Sequence, residues 1–341
     1  MNKIHISMNS RALTCTLSVF LFIFPIHLIF IFFKNLLYDL GVLKPVSIDA
    51  KVISVGNIAL GGTGKTPITI AIANFLESRG YVVGIVSRGH GRENISNSFL
   101  LKNQGWKESG DEVVLLKNNT SKRTHIYVSI NKVYAAKKLS EMGCNVILLD
   151  DGFQHRRINR DIDVVLLGSE NQKYMQQFIY PYGLLREPFC YLKRADITIS
   201  TKKSLIKNVN IKTDYELNFE IKEVVISSGL PTTIHNLANI SGIMSVCSIG
   251  DPDSFSRTLH KNNITVDEKL VFPDHWPFTL TDVKKINRLA SDKKLKHIIC
   301  TEKDFVKLLE FKNILNIDIC AIVLKHEISQ EIKQDILGRL V

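Results

Sequence analysis

Between Lys51 and Arg79 the chain must place an extended apolar run, a tight glycine-rich turn and a helix in immediate succession. Val52–Val55 leads into Gly56-Asn57-Ile58-Ala59-Leu60-Gly61-Gly62-Thr63-Gly64-Lys65-Thr66-Pro67, and apolar residues then continue at helical density. Glycines let backbone N–H groups converge on phosphate oxygens, and the first turn of the following helix adds positive potential there. Lys65 is placed to reach the β- and γ-phosphates, and the Thr66 hydroxyl to ligate Mg²⁺. The strict phosphate-loop pattern has glycine where this chain has Ala59. Ala59, Leu60, Gly61, Gly62, Thr63, Gly64, Lys65 and Thr66 are therefore the candidate nucleotide-binding residues. A glycine-rich turn carrying an incidental lysine is the bland alternative, and the strand before and helix after it argue against that.

The rest of the chain supports the same architecture. Beyond Pro45, short apolar strands alternate with helical stretches, which predicts an α/β fold with a mostly parallel sheet. Expected strands are Lys51–Gly56, Tyr81–Ser87, Asn145–Asp150, Asp161–Leu167 and Ala195–Ser200, with helices over Lys65–Arg79 and Lys132–Met142. Residues 204–236 are thinner in apolar periodicity and read as a β-rich connector. A second, smaller α/β lobe follows over residues 237–341, with strands Gly242–Ile249, Ile264–Phe272 and His297–Thr301. Its helices are expected from Pro252, over Thr281–Ala290 and over Gln330–Leu340. The strand Asn145–Asp150 ends in Asp150-Asp151, carboxylates suited to a phosphate-bound Mg²⁺. The pattern does not say which of the two lies closer to the ion.

From Ala12 to Phe33 there are 22 residues without a formal charge, 17 of them apolar and six of those phenylalanine. As a helix this run is about 33 Å long, close to the roughly 30 Å hydrocarbon core of a bilayer. Residues 1–45 are thus expected to form a membrane-associated apolar helix, either spanning or, kinked at Pro25, lying in the interface. A secretory signal is a poorer fit, since the run is long for one and no small-residue cleavage site follows. The alternative is a buried core helix. The flanking lysines and arginine give a slight preference for a cytoplasmic C-terminal side.

Composition narrows the partners. Lysine and arginine total 44 against 33 acids, a net charge of +11, which points to an anionic partner without choosing among nucleic acid, phosphorylated small molecule and acidic lipid. No basic stripe with interleaved aromatics and no helix-turn-helix signal is present, so nucleic acid is not expected. The six cysteines are scattered, with no paired spacing, and read as reduced, buried thiols in a cytosolic compartment.

The segment Asp150-Asp151-Gly152-Phe153-Gln154-His155-Arg156-Arg157 resembles a block of the tetraacyldisaccharide 4′-kinases, the lipid A 4′-kinase family. So do Ser87-Arg88-Gly89-His90-Gly91-Arg92, Gly110-Asp111-Glu112, Pro181-Tyr182-Gly183-Leu184-Leu185-Arg186-Glu187-Pro188, Asp274-His275 and Thr301-Glu302-Lys303-Asp304-Phe305-Val306-Lys307. The blocks run in family order from about Lys51 to Lys307. The resemblance implies transfer of the γ-phosphate of ATP, with Mg²⁺, to the 4′-hydroxyl of a tetraacyl glucosamine disaccharide 1-phosphate. It also implies work at the cytoplasmic face of the inner membrane, against membrane lipid. Two positions depart from the family pattern: His90 stands where tyrosine is usual, and Trp276 where a second histidine often follows Asp274-His275.

On this resemblance Asp111 and His275 form a catalytic pair with Lys65, meeting when a cleft between two lobes closes. Without it, Asp111 reads simply as a first-turn carboxylate at a helix start. The metal set is Thr66, Asp150, Asp151 and Glu187, and the acceptor set Asn57, Arg88, His90, Arg92, Gln154, His155 and Arg186. Arg88 and Arg92 are equally readable as solvated loop charges, Arg186 and Glu187 as partners of one another, and Thr301-x-x-Asp304 as a helix cap. A phosphate-loop GTPase or ATPase switch, in protein targeting or metal insertion, would explain the glycine loop and the terminal aspartate equally well. It would not need an Asp–His pair.

Overall fold

The computed structural model describes residues 28–168, 179–180, 182–201, 213–227, 231–232, 237 and 240–340. The apolar run expected as a membrane helix lies largely outside them. Its C-terminal end is helical over 28–39 (α1), burying Ile31 and Asn35 while Ile29, Phe30, Phe32 and Phe33 stay more than half exposed. Among the described residues no helix is long and apolar enough to cross a membrane.

The first lobe is an eight-stranded sheet in the order β3-β4-β2-β5-β1-β6-β7-β8. Its strands are β1 (Lys51–Asn57), β2 (Val83–Ser87), β3 (Phe99–Leu100), β4 (His125–Val128), β5 (Val146–Asp150), β6 (Ile162–Leu167), β7 (Ile197–Ser200) and β8 (Tyr215–Glu216). All pairings are parallel except β3 with β4. The central strands β2, β5, β1 and β6 read as near-continuous apolar runs because helices cover both of their faces. Helix α2 (Lys65–Ser78) covers one side, burying Ile68, Ile70, Ile72, Phe75 and Leu76. The one-turn α3 (Trp106–Ser109) runs into α4 (Asp111–Asn119), and α5 (Lys132–Glu141) is capped by the Asn131 side chain accepting from Tyr134 N–H.

The second lobe carries a six-stranded sheet, β10-β9-β14-β13-β11-β12. Here β11 (Ile243–Cys247), β12 (Glu268–Val271), β13 (His297–Thr301) and β14 (Asp318–Leu324) are parallel, while β9 (Ile221–Ile226) and β10 (Pro231–Thr232) add antiparallel strands. Its helices are α6 (Pro252–Lys261), α7 (Leu280–Asp292) and α8 (Glu302–Leu308).

Three expectations are corrected. The connector is not a separate unit: β8 completes the first sheet and β9 joins the second, so the crossing occupies residues 217–220. The closing helix α9 (Gln330–Leu340) forms as expected but leaves the 237–341 lobe. Ile332, Ile336 and Leu340 pack in the core of the first sheet with Ile162, Val164 and Ile197. Helical periodicity marks the face a helix buries and is silent about what covers it. Of the described cysteines, Cys144, Cys247, Cys300 and Cys320 are buried, whereas Cys190 is exposed.

Candidate active site

Both lobes meet at a cavity of about 620 Å³ at the C-terminal ends of the strands, where open α/β sheets bind ligands. The first wall is the phosphate loop, with Gly61 to Thr66 lining the cavity. Gly64 caps α2 in the left-handed region (φ 81°), and a Cβ there would lie 2.5 Å from the Phe219 ring, so only glycine suits the turn. Ala59 needs no such freedom. It is absent from the positive-φ residues and its methyl group is buried beside Ile31, Ile58 and Phe153, which explains why alanine is tolerated at that position. Below the loop, Gly56 permits a close approach that a side chain would forbid: a Cβ would sit 2.6 Å from Phe153 Cβ.

Strand β5 delivers the carboxylates beside this loop, Val55 of β1 being in register with Asp150. Asp150 is 3% exposed and accepts from Ser87 Oγ at 3.2 Å. Burial, with the charge of Glu112 next, pushes its carboxyl up to about 6 against the opposing charge of Lys132. Asp151, with φ 52°, turns the other way. Arg186 Nη1 donates to both of its oxygens at 2.7 Å and Lys65 Nζ lies at 3.5 Å. Burial would raise this carboxyl, but the Lys65 and Arg186 charges hold it well below the usual range. Lys132 is fully buried behind both, donating to the Asp150 and Asp151 carbonyls, and burial brings it down to about 8.

The opposite wall brings His275 from the loop after β12. His275 Nδ1 is 2.9 Å from Asp111 Oδ1 and 3.0 Å from Oδ2, although 164 residues separate them. The pair is formed in this structure. His275 lines the cavity; Asp111, 3% exposed, sits behind it and accepts the Glu112 N–H at 2.8 Å. Burial disfavours the charged imidazole, but the hydrogen bond and charge of Asp111 outweigh it and raise His275 above its ordinary value. Asp111 shows the converse: burial would raise it, while the His275 hydrogen bond and the Lys303 charge hold it far below.

Residues 17–341 match the family described as tetraacyldisaccharide-1-P 4′-kinase, LpxK. The chain belongs to this family. It is 32% identical over 335 residues to a tetraacyldisaccharide 4′-kinase of Halothermothrix orenii, covering 89% of this chain and 86% of that one. A second, from Syntrophus aciditrophicus, is 33% identical over 299 residues, covering 81% and 80%. The crystal structure of LpxK from Aquifex aeolicus in complex with ATP superposes with a TM-score of 0.71 at 27% identity, covering 95% of this chain and 99% of that one. The chain is therefore a kinase of the phosphate-loop α/β class, and the switch reading has no support.

The 4′-kinase family blocks do not all deliver side chains to the cavity. Arg88, His90 and Arg186 line it. Arg92 does not: its guanidinium is buried, donating to the Ile95 and Asn97 carbonyls, where it folds its own loop. Asn57 is fully buried and braces the phosphate loop through Thr63 Oγ1 at 2.9 Å. Gln154 donates to the Asn57 carbonyl, and its own carbonyl accepts from Lys34. His155 also lies off the cavity lining; burial and the Lys132 and Arg88 charges lower it to about 3, so it is neutral. Glu187 is 1% exposed and pairs with Arg194, away from the cavity, so it is neither a metal candidate there nor the partner of Arg186. These blocks run through turns and loops, where each side chain follows its own local contacts, and proximity in a motif does not carry every residue to one site.

The two departures from the family pattern also resolve. The His90 ring packs on His275 with centroids 4.4 Å apart, and burial followed by the His275 charge lowers its proton affinity, so it serves as an aromatic neighbour. Trp276 turns away, stacking on Phe272 and donating Nε1–H to Asp282 at 3.1 Å. Thr301 caps α8 by accepting from Asp304 N–H, the plain structural reading, while Lys303 pairs with Glu112 at the cavity wall. Lys132, Glu112 and Lys307 surround the site with no signal from local pattern, because a buried lysine looks like any surface lysine until its partners are in place.

Proposed function

We propose that this chain transfers the γ-phosphate of ATP to the 4′-hydroxyl of a tetraacyl glucosamine disaccharide 1-phosphate, giving a lipid A precursor. The observation that carries this reading is the Asp111–His275 pair facing the phosphate loop across one cavity, in a chain of this family. The loop N–H groups and Lys65 meet the charge that builds on the transferred phosphoryl group, where positioning and electrostatics supply most of the catalysis. Arg186 adds a second cation, held by Asp151. Arg88 faces the same cavity and suits an acceptor phosphate.

A sugar hydroxyl benefits from a base. The Asp111 oxygens are already engaged by His275, the Glu112 N–H and Lys307 at 3.4 Å, and they do not face the cavity. Asp111 therefore orients and polarises the ring, holding the proton on Nδ1, and His275 Nε2 takes the hydroxyl proton. His90 keeps the ring from turning.

Thr66 and Asp150 fit Mg²⁺. Both are hard oxygen donors on the cavity wall, and Asp150 sits where neighbouring carboxylates make added positive charge favourable. Among the described residues no three His, Cys, Asp or Glu side chains converge as a metal cage. That suits an ion which takes one or two protein oxygens and completes its shell with phosphate and water. When bound, Mg²⁺ neutralises phosphate charge. Asp151 is occupied by Arg186 and Lys65, which favours Asp150 as the ligand.

The acceptor's acyl chains require a membrane, and we place the protein at the cytoplasmic face of the inner membrane, held by residues 1–45. The exposed Ile29, Phe30, Phe32 and Phe33 on α1 support this, as do Leu40 and Val42 beyond it. Deleting residues 1–34 should move part of the protein from the membrane pellet to the supernatant. Full retention in the pellet would show that the anchor lies elsewhere. The activity itself is tested by incubating the purified full chain with γ-labelled ATP and the tetraacyl disaccharide 1-phosphate. Label should pass to the lipid, and nucleotide hydrolysis indifferent to the lipid would refute the assignment.

A further inference from the structure

Behind the Asp111–His275 pair lies a buried circuit that the reaction as described does not use. Lys307, on α8, has a side chain 1% exposed. Its Nζ donates to Ser248 Oγ at 2.7 Å and lies 3.1 Å from Asp304 Oδ1 and 3.4 Å from Asp111 Oδ2. Ser248 follows β11, and its carbonyl accepts the backbone N–H of His275 at 3.2 Å. The circuit therefore closes from His275 to Asp111, Lys307, Ser248 and back to His275. His275 itself has φ 58°, a left-handed conformation that a non-glycine residue keeps only when its surroundings hold it.

Lys307 compensates the buried Asp304 charge, but that alone does not account for this arrangement. Asp304 already accepts from Ser248 N–H at 3.0 Å, from Thr301 Oγ1 at 2.9 Å and from the Ser248 hydroxyl. Lys307 nevertheless reaches past it to a carboxylate of the other lobe. We propose that Lys307 is a positioning residue for phosphoryl transfer: its ammonium ties Asp111 of the first lobe to Ser248 and Asp304 of the second, and so presents His275 with Nδ1 engaged and Nε2 toward the cavity. This rests on the reading of Asp111 and His275 as the acceptor-side unit. The other charged or titratable groups around the pair are His90, Glu112, Asp274 and Lys303. Lys303 also acts on Asp111 through its charge, but its ion pair is with Glu112 at the cavity wall.

The test uses full-length protein in detergent with Lys307→Met, which keeps an unbranched apolar side chain and removes the charge, including the ammonium that lies 5.4 Å from the Phe278 ring centroid. Lys307→Arg serves as the conservative rescue. Lys307→Met should lower kcat by about tenfold or more with KM for ATP changed by less than about threefold, since nothing that touches nucleotide is altered. Loss of a cation beside the pair makes the imidazole easier to protonate. The acidic limb of the pH–rate profile should therefore move to higher pH, and Lys307→Arg should bring it back. In protein labelled with ¹⁵N-histidine, His275, assigned by its loss in His275→Gln, should show the Nδ1–H tautomer in the parent and a mixture in Lys307→Met. An unchanged kcat, limb and tautomer in folded, ATP-binding Lys307→Met would overturn the proposal.

Lys307→Met leaves the buried Asp304 charge poorly compensated, which can unfold a protein. The double variant Lys307→Met/Asp304→Asn removes both charges and carries the same expectations. If neither variant accumulates as folded, ATP-binding protein, Lys307 is a residue of the fold and the proposal fails. Asp111→Ala and His275→Ala measured alongside separate the two readings. Normal kcat in both would remove the catalytic pair. A collapse in both with a normal Lys307→Met would remove only the role of Lys307.

Discussion

Lys65→Ala should lower kcat by about 10²–10³-fold, the scale seen when one preorganised donor is taken from a site of developing negative charge. Lys65 is the first residue of α2, lines the cavity and lies 3.5 Å from Asp151, so the substitution also leaves that carboxylate with one cation fewer, Arg186 remaining. Both consequences act in the same direction: a positive charge is lost and a negative one is less compensated. Thr66→Ala, by contrast, should raise the Mg²⁺ concentration needed for half-maximal rate more than it changes KM for the acceptor, because the proposed reading assigns the hydroxyl to the ion and not to the sugar. Initial rates across a Mg²⁺ series measure both. Near-normal turnover in Lys65→Ala would show that the glycine loop is not where phosphate is transferred.

Asp111→Ala and His275→Ala should each reduce kcat by about 10²–10⁴-fold, the range for loss of a positioned base. KM for ATP should change little in either. The double variant should be scarcely worse than the poorer single one, because residues that act as a unit lose one function between them. The pH profile gives a second, independent reading. A base works deprotonated, so the rate falls as pH drops through the pKa of His275. Asp111 raises that pKa above the ordinary 6.5, which places the acidic limb on the neutral side of an unperturbed histidine. His275→Ala should abolish that limb. Strictly multiplicative losses with an unaltered profile would mean that the two residues act separately.

The pair lies on a seam between the lobes. Asp111 begins α4 in the first lobe and His275 follows β12 in the second, and the two are in contact across it. Neighbouring ties follow the same seam: Lys303 with Glu112, Asn119 with Glu302 at 3.2 Å, and Lys107 with Glu310 at 2.7 Å. Helices α3 and α4 are thus laced to α8 and the turn after it by charged and polar groups. Such a seam can part and re-form at lower cost than a packed core, because water satisfies the same groups when it opens.

Much of the kinase site was legible locally. The phosphate loop is contiguous, and its strand, glycines, Lys65 and Thr66 state their chemistry in a dozen residues. Asp150 and Asp151 follow an apolar run whose burial is read from composition. Strands β1, β2, β5, β6, β7, β11, β12 and β13 and helices α2, α5, α6, α7 and α9 were likewise announced by their patterns, whereas β3, β4, β14 and α3 were not and β8 to β10 only as a β-rich stretch. What local pattern could not supply was the pairing of Asp111 with His275; a first-turn carboxylate and a lone histidine carry no mark of each other, and only the resemblance to the family joined them.

The division between sequence and tertiary structure has a physical basis. Sequence by itself determined whatever depends on neighbours along the chain: the turn that cradles phosphate, the apolar strands beside it, the helix starts, and the family blocks in their order. Tertiary structure decided which side chains of the turns and loops face the cavity. It sent Arg92, Gln154, His155 and Glu187 into structural contacts while Arg88, His90 and Arg186 stayed at the site. It likewise gave α9 to the first sheet and placed Lys132 and Lys307 under the carboxylates. Charge, burial and proton affinity belong to partners in space, which the chain brings from as near as Lys132 to Asp150 and as far as His275 to Asp111, 164 residues apart.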